Sequence, residues 1–223
     1  IAPVTAKEKL ADLLQDFSPV SILANTTLVL AVSAASPIQN LAQFLEASRT
    51  KPLSYGTFGL ASSPHLMGEL LSLNTSTPML HVPYKGSAPA VTDVIGGHTS
   101  SVFLTVAAVS EQVSNGKLRA LAITGNKRIA SMPDVPTFAE SGVKGMEDAG
   151  WFAIFAPGNT PDSIRKKISD AIAKVVAEPD VQKRLSDLGL EPVGSTPEQH
   201  AASWKTTVSL VEEIVTKTGL KLN

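Results

Sequence analysis

Thr57, Ser62 and Ser63 place three hydroxyls within seven residues, between Gly56 and the Pro64-His65 pair, and such a cluster suits capture of a small anion. The run Tyr55-Gly56-Thr57-Phe58-Gly59-Leu60-Ala61-Ser62-Ser63-Pro64-His65-Leu66 reads as a strand emptying into a helix. Gly56 and Gly59 permit tight turns, Ser63 stands where a helix cap belongs, and Pro64 suits a first helical position. A helix start carries unpaired N–H groups and the positive end of the helix dipole, so with these hydroxyls it can hold a carboxylate or phosphate without a charged side chain. An ordinary capped connection between strand and helix explains the same residues.

Three further places bear on that site. Lys85, with Gly86 and Ser87, ends a strand at the sheet edge where open α/β folds bind ligands, and either offers a cation to an acid or is a solvated lysine in a turn. Phe103 and Leu104 close another strand and either line the same mouth or pack in the core. Trp151 and Phe152 suit stacking on a ligand or burial in a strand between domains.

Enzymatic readings are less well supplied. Ser62 or Ser63 with His65 pairs a nucleophile type with a base type, and the G-x-S-x-G turn that would expose such a serine is absent. His65, His81, His98 and His200 lie far apart with no second ligand at metal spacing, and neither G-x-G-x-x-G nor G-x-x-x-x-G-K-[ST] occurs, so no metal or cofactor is indicated. Without cysteine there is no disulfide or thiolate chemistry, and the redox compartment stays open.

Composition narrows the class. With 223 residues, 43% hydrophobic, the chain can form one large or two small globular domains. Nineteen basic and twenty acidic side chains give a net charge of −1, which speaks against nucleic acid and polybasic membrane contacts. The uncharged stretch Phe17 to Leu45 is interrupted by Pro19, Asn25, Ser36 and Pro37, leaving Leu28 to Val32 as a short buried strand rather than a membrane span. The opening Ile1-Ala2-Pro3-Val4 shows no signal-peptide pattern within this chain.

Hydrophobic periodicity and turn residues then divide the chain. Helices are predicted over Lys7 to Gln15, from Ser36-Pro37 through Leu41, Phe44 and Leu45, from Ser63 to about Leu73, over Ala90 to Ile95 and over Val106 to Ser114. Strands are predicted over Val20 to Val32, Leu53 to Tyr55, Met79 to Tyr84, Thr99 to Leu104, Leu118 to Thr124 and Trp151 to Ala156. A short helix is placed at Thr137 to Ser141 within a polar connection. The last third is helical: Ile164, Ile168, Ile172 and Val175 or Val176 mark one helix from Thr160-Pro161-Asp162, another runs from Pro179 to Gly189, and a third from Thr196-Pro197-Glu198 to about Lys217, ended by Gly219. Strands alternating with helices imply crossover units and a largely parallel sheet, an α/β fold.

Several runs in this order resemble the substrate-binding receptors of tripartite tricarboxylate transporters, the Bug family. They are Phe17-Ser18-Pro19-Val20, the Tyr55 to Glu69 segment, His81-Val82-Pro83-Tyr84-Lys85-Gly86-Ser87-Ala88-Pro89, Gly116 to Ala122, Met132-Pro133-Asp134-Val135-Pro136-Thr137 and Leu188 to Pro197. The resemblance spans nearly the whole chain. It implies a non-enzymatic, periplasmic, two-lobed α/β binding protein of type II that closes on a small organic acid and passes it to membrane permease subunits. Residues 33–147 would be the second lobe, with 1–32 and 148–223 a partial first lobe. The family's ligand loop falls on Thr57, Phe58, Gly59, Ala61, Ser62 and Ser63, with Leu104 at a further ligand-facing position.

Two departures from the family pattern stand out. Members ordinarily begin with a strand-helix segment whose glycine-rich loop contributes to the pocket, and this chain is expected to lack it, which implies weak binding and self-association. Members commonly carry an aspartate where this chain has Leu104, so a plain carboxylate with an apolar or aromatic body fits better than an amino acid.

Overall fold

A computed structural model describes residues 16–220, so the helix expected over Lys7 to Gln15 lies outside the described residues. The chain divides into two units, one formed by 27–149 and the other by 1–26 together with 150–223. The sequence reading set the divisions at 32/33 and 147/148. The first falls earlier because the expected strand Val20 to Val32 is two strands, β1 (Phe17–Thr26) and β2 (Leu28–Ser33), which enter different sheets.

In the 27–149 unit, β2, β3 (Leu53–Thr57), β4 (Met79–Pro83), β5 (Ser101–Thr105) and β6 (Leu118–Ile123) form a five-stranded sheet in the order β4-β3-β5-β2-β6. β3 pairs parallel with β4 and β5, while β2 pairs antiparallel with β5 and β6. Four strands therefore run one way, as the alternation of strands and helices predicts, and β2 runs against them. Its direction is not set by a crossover helix, because β1 leads into it through Thr27 alone.

Four helices cover this sheet: α1 (Leu41–Thr50), α2 (Ser63–Thr75), α3 (Ser87–Ile95) and α4 (Val106–Ser114). α1 starts later than the Ser36-Pro37 signal, because the Asn40 side chain accepts the Gln43 N–H and caps it there. On one face of the sheet Val29, Ala31, Val102 and Leu104 pack with Ala90 and Val94 of α3 and Val106 and Val109 of α4, all fully buried. Each of these valine and leucine side chains contributes about 1.5–3 kcal/mol by leaving water. Phe103 points to the opposite face, where its ring lies 5.7 Å from that of Phe138.

The short helix expected at Thr137 to Ser141 is a turn. Thr137 and Glu140 exchange side-chain and backbone hydrogen bonds as a capping box does, and Ser141 N–H closes on the Thr137 carbonyl, but Gly142 in the left-handed region ends the coil at once.

The other unit is built on an antiparallel three-stranded sheet, β7-β1-β8, with β7 at Trp151–Pro157 and β8 at Leu190–Pro192. β8 was not predicted, since three residues carry too little periodicity to show. Helices α5 (Asp162–Val176), α6 (Pro179–Asp187) and α7 (Pro197–Thr218) complete it, and α7 begins with the full capping box of Thr196 and Gln199 and ends at left-handed Gly219. α5 exists where its four-residue spacing predicts, but its stripe is only partly covered: Val176 is buried while Ile164, Ile168 and Val175 are exposed. Among the described residues no helix is long and apolar enough to cross a membrane.

Candidate functional site

Parallel pairing brings the carboxyl ends of β4, β3 and β5 to one edge of the five-stranded sheet, and each of these strands runs into a helix start there. α2 follows β3 from an N-cap at Ser62, α3 follows β4 from Gly86, and α4 follows β5 from Thr105. None of the three has a side-chain cap bond, whereas α1, at the other position in the unit, is capped by Asn40. Uncapped first-turn N–H groups keep their demand for acceptors, and three positive dipole ends converge on the same edge.

The Thr57 to Ser63 loop is held by its own polar groups. Thr57 Oγ1 accepts the Gly59 N–H at 3.3 Å, lies 3.1 Å from the Gly59 carbonyl and 2.7 Å from His81 Nε2. Ser62 Oγ donates to the Gly59 carbonyl at 2.7 Å, and so is turned back into the loop instead of capping α2. Ser63, expected to cap, is the first residue of the helix, and Pro64 takes an early helical position as predicted. Ala61 has φ 57°, a left-handed conformation unusual for a residue with a side chain, and its N–H donates to His65 Nδ1 at 3.1 Å.

Gly56 differs from its sequence reading. It is not a turn residue but lies within β3, where a Cβ would stand 3.0 Å from the Tyr84 ring and 3.4 Å from Val102. The missing side chain lets Tyr84 lie over the strand end, where the Tyr84 N–H donates to the Thr57 carbonyl at 3.0 Å. That bond puts the turn carrying Lys85 next to the loop carrying Thr57 and Phe58. Lys85 is exposed and Phe58 half-buried against the core.

Of the residues singled out in the sequence, Thr57, Phe58, Gly59, Ala61, Ser62, Ser63 and Lys85 therefore lie around one sheet edge. Leu104 does not join them as a contact. Its side chain is fully buried in the β2, α3 and α4 core, because β5 is an inner strand and Leu104 shares the face of Val102. Phe103 is buried as well. On the serine hydrolase reading, the Ser62 hydroxyl is committed to the Gly59 carbonyl, and His65 Nδ1 to the Ala61 N–H.

Sequence reasoning missed what underlies the loop. His65 of α2 and His81 of β4 stack with ring centroids 3.6 Å apart and planes 11° from parallel. Tyr55 lies beside them, its ring 5.1 Å from that of His81, and its hydroxyl donates to Glu69 Oε1 at 2.7 Å. Burial holds both imidazoles down to about 4, His81 further disfavoured by its neighbour, while burial and the Glu69 carboxylate push the Tyr55 phenol far up. Tyr55, His65 and His81 are 10 to 26 apart in sequence, and the parallel pairing of Tyr55 with His81, with α2 laid over it, makes them neighbours. Tyr55, His65 and Glu69 lie in one motif run and His81 in another, and no local spacing joins the two.

A doubly flanked α/β sheet with one reversed strand, and helix starts without side-chain caps at its carboxyl edge, defines the 27–149 unit as a lobe of the periplasmic-binding-protein kind. Comparison with known proteins gives the family. Residues 2–220 match the tripartite tricarboxylate transporter family receptor, TctC, and the chain belongs to that family. The UPF0065 protein in the tcbD-tcbE intergenic region of Pseudomonas sp. strain P51 is 35% identical over 94% of this chain, and the chain spans 63% of that relative's length. Among solved structures, one described as a periplasmic transporter superposes with a TM-score of 0.85 at 38% identity, covering 99% of this chain and 75% of the other. The R. palustris protein Rpa4515 with adipate superposes with a TM-score of 0.82 at 31% identity, covering 92% and 69% respectively.

Proposed function

We propose that this chain serves as an extracytoplasmic receptor that captures a small organic acid, with the Thr57 to Ser63 loop holding a carboxylate. The observation that carries the reading is the convergence of three helix starts without side-chain caps on the carboxyl edge of β4, β3 and β5. Backbone N–H groups there are pre-set donors, the Ser63 hydroxyl and the exposed ammonium of Lys85 add hydrogen bonding and charge, and Ser62 braces the loop through Gly59. A di- or tricarboxylate, or an aromatic acid lying against Phe58, fits these donors. Adipate in Rpa4515, a relative of the same fold, supports an acid of that size.

Periplasmic residence and delivery to the permease subunits of a tripartite transporter are part of the proposal, and family membership supports them. No covalent chemistry is assigned to the site, in keeping with a receptor that binds and releases its cargo unchanged.

Isothermal calorimetry of the protein with adipate, succinate, citrate and benzoate tests the reading, with matched amines as controls. Micromolar affinity corresponds to about −8 kcal/mol, within reach of a few charge-assisted hydrogen bonds and some apolar burial. Heat from at least one acid and none from the amines is expected. Silence toward every acid would overturn it.

A further inference from the structure

We propose that His65 and His81 are positioning residues for the ligand loop: their stacked rings hold both ends of it in the binding conformation, and protonation of the pair releases it. The inference rests on the assignment of the Thr57 to Ser63 loop as the carboxylate site.

Each ring grips one end of the loop. His81 Nε2 meets Thr57 Oγ1 at 2.7 Å, and through that hydroxyl reaches the Gly59 N–H and carbonyl. His65 Nδ1 accepts the Ala61 N–H at 3.1 Å, which ties down the residue with φ 57°. Without an acceptor Ala61 has no reason to stay left-handed, since that conformation costs an L-residue roughly 1–2 kcal/mol. Stacking at 3.6 Å makes the two grips one device, because neither ring can tilt without displacing the other.

The bonds also fix the protons. Nδ1 of His65 must be bare to accept, so its proton sits on Nε2, which faces Glu69 Oε1 at 3.8 Å. A second proton on His65 has only Nδ1 to occupy, and it evicts the Ala61 N–H. The titratable groups that face the pair are the Tyr55 phenol from β3 and the Glu69 carboxylate from α2 itself, and the first already donates to the second at 2.7 Å. Burial disfavours the imidazolium of both rings, and two charged rings in a stack would repel, so the neutral pair prevails at neutral pH.

The first test needs no ligand. In the 223-residue chain the amide signals of Gly59 and Ala61, followed by 15N NMR from pH 7 to 4, should move together with the imidazole signals of His65 and His81. In His65→Asn, whose Oδ1 can stand in for Nδ1 and does not titrate, the Ala61 signal should stay in place. Calorimetry with adipate forms the second arm. His65→Asn should hold its affinity within about threefold at pH 7, and His65→Leu should lose about tenfold, the worth of one buried hydrogen bond left unmade. His81→Gln, which keeps a polar atom near Thr57, should resemble His65→Asn, and thermal unfolding reports separately on any loss of fold. Loop amides that stay still while the imidazoles titrate would overturn the proposal, as would wild-type affinity in His65→Leu. If adipate binds to none of these proteins, the receptor reading loses its support, and the amide titration still decides the role of the two histidines.

Discussion

Gly68 and Tyr55 are joined by the absence of a side chain: a Cβ on Gly68 would stand 2.9 Å from the Tyr55 hydroxyl and closer still to Cζ and Cε2. α2 therefore lies directly on the β3 tyrosine, whose hydroxyl donates to Glu69 of the same helix. This contact sets the distance between the helix and the sheet beneath the Thr57 to Ser63 loop.

Gly68→Ala must push Tyr55 or α2 aside. A loss of about 1–3 kcal/mol is expected, the usual cost of overfilling a packed site, although alanine is the better helix former. Urea unfolding followed by far-ultraviolet circular dichroism measures it, since both tryptophans, Trp151 and Trp204, lie in the other unit. A neutral or stabilising result would mean the contact is slack. Tyr55→Phe keeps the ring and removes the donor to a carboxylate, and should cost about 1.5–3 kcal/mol.

Thr57 joins the strand to the loop through a hydroxyl that neither a capped turn nor a simple anion site requires. Thr57→Val preserves its shape and β-branching and removes the links to Gly59 and His81. Acid binding should fall by about tenfold or more, with thermal stability lowered by about 1 kcal/mol. Thr57→Ser, which restores the hydroxyl, should recover most of the affinity. Calorimetry with the acid that binds wild type most tightly makes the comparison.

Lys85 separates charge attraction from hydrogen bonding. It is exposed, so its contribution is screened, and Lys85→Gln is expected to weaken acid binding only about two- to tenfold. The informative readout is salt. Wild-type affinity should drop between 20 mM and 300 mM sodium chloride, and the variant should show a flatter dependence. Equal salt slopes would place Lys85 away from the bound acid.

Much of this arrangement was legible in the sequence, and the reason is local. Strand-to-helix transitions are written in short runs, so the β3-α2 loop, the α5 stripe and the α7 cap with Gly219 fall where spacing and turn residues put them. What could not be read depends on pairing between distant segments. The reversal of β2 turns on which sheet Thr27 delivers it to, and the burial of Leu104 follows from β5 lying between β3 and β2. The His65–His81 stack needs both the β3-β4 register and the tilt of α2. A lone histidine in a strand carries no mark of another waiting above it.

His200 in the other unit gives a prediction in acid. It is fully buried against Trp151 and Phe155, with ring centroids 5.0 Å from Trp151 and 4.5 Å from Phe155. Among the described residues neither ring nitrogen has a hydrogen-bond partner, and burial lowers its pKa from 6.5 to about 4. Between those values the unfolded chain holds a proton on this imidazole and the folded chain does not, so falling pH favours unfolding. The stabilisation is complete above pH 6.5 and is lost progressively toward pH 4, amounting to about 3 kcal/mol for this group. His200→Leu removes a titrating group of similar volume that makes no hydrogen bond. At pH 7 its stability should stay within about 1.5 kcal/mol of wild type. At pH 5 it should be the more stable protein relative to its own neutral value, with a shallower slope that retains the contributions of His65 and His81. Urea titrations at pH 7, 6 and 5 distinguish the outcomes. Parallel pH profiles would show that His200 is protonated alike in the folded and unfolded chains, and that its aromatic surroundings admit the charge.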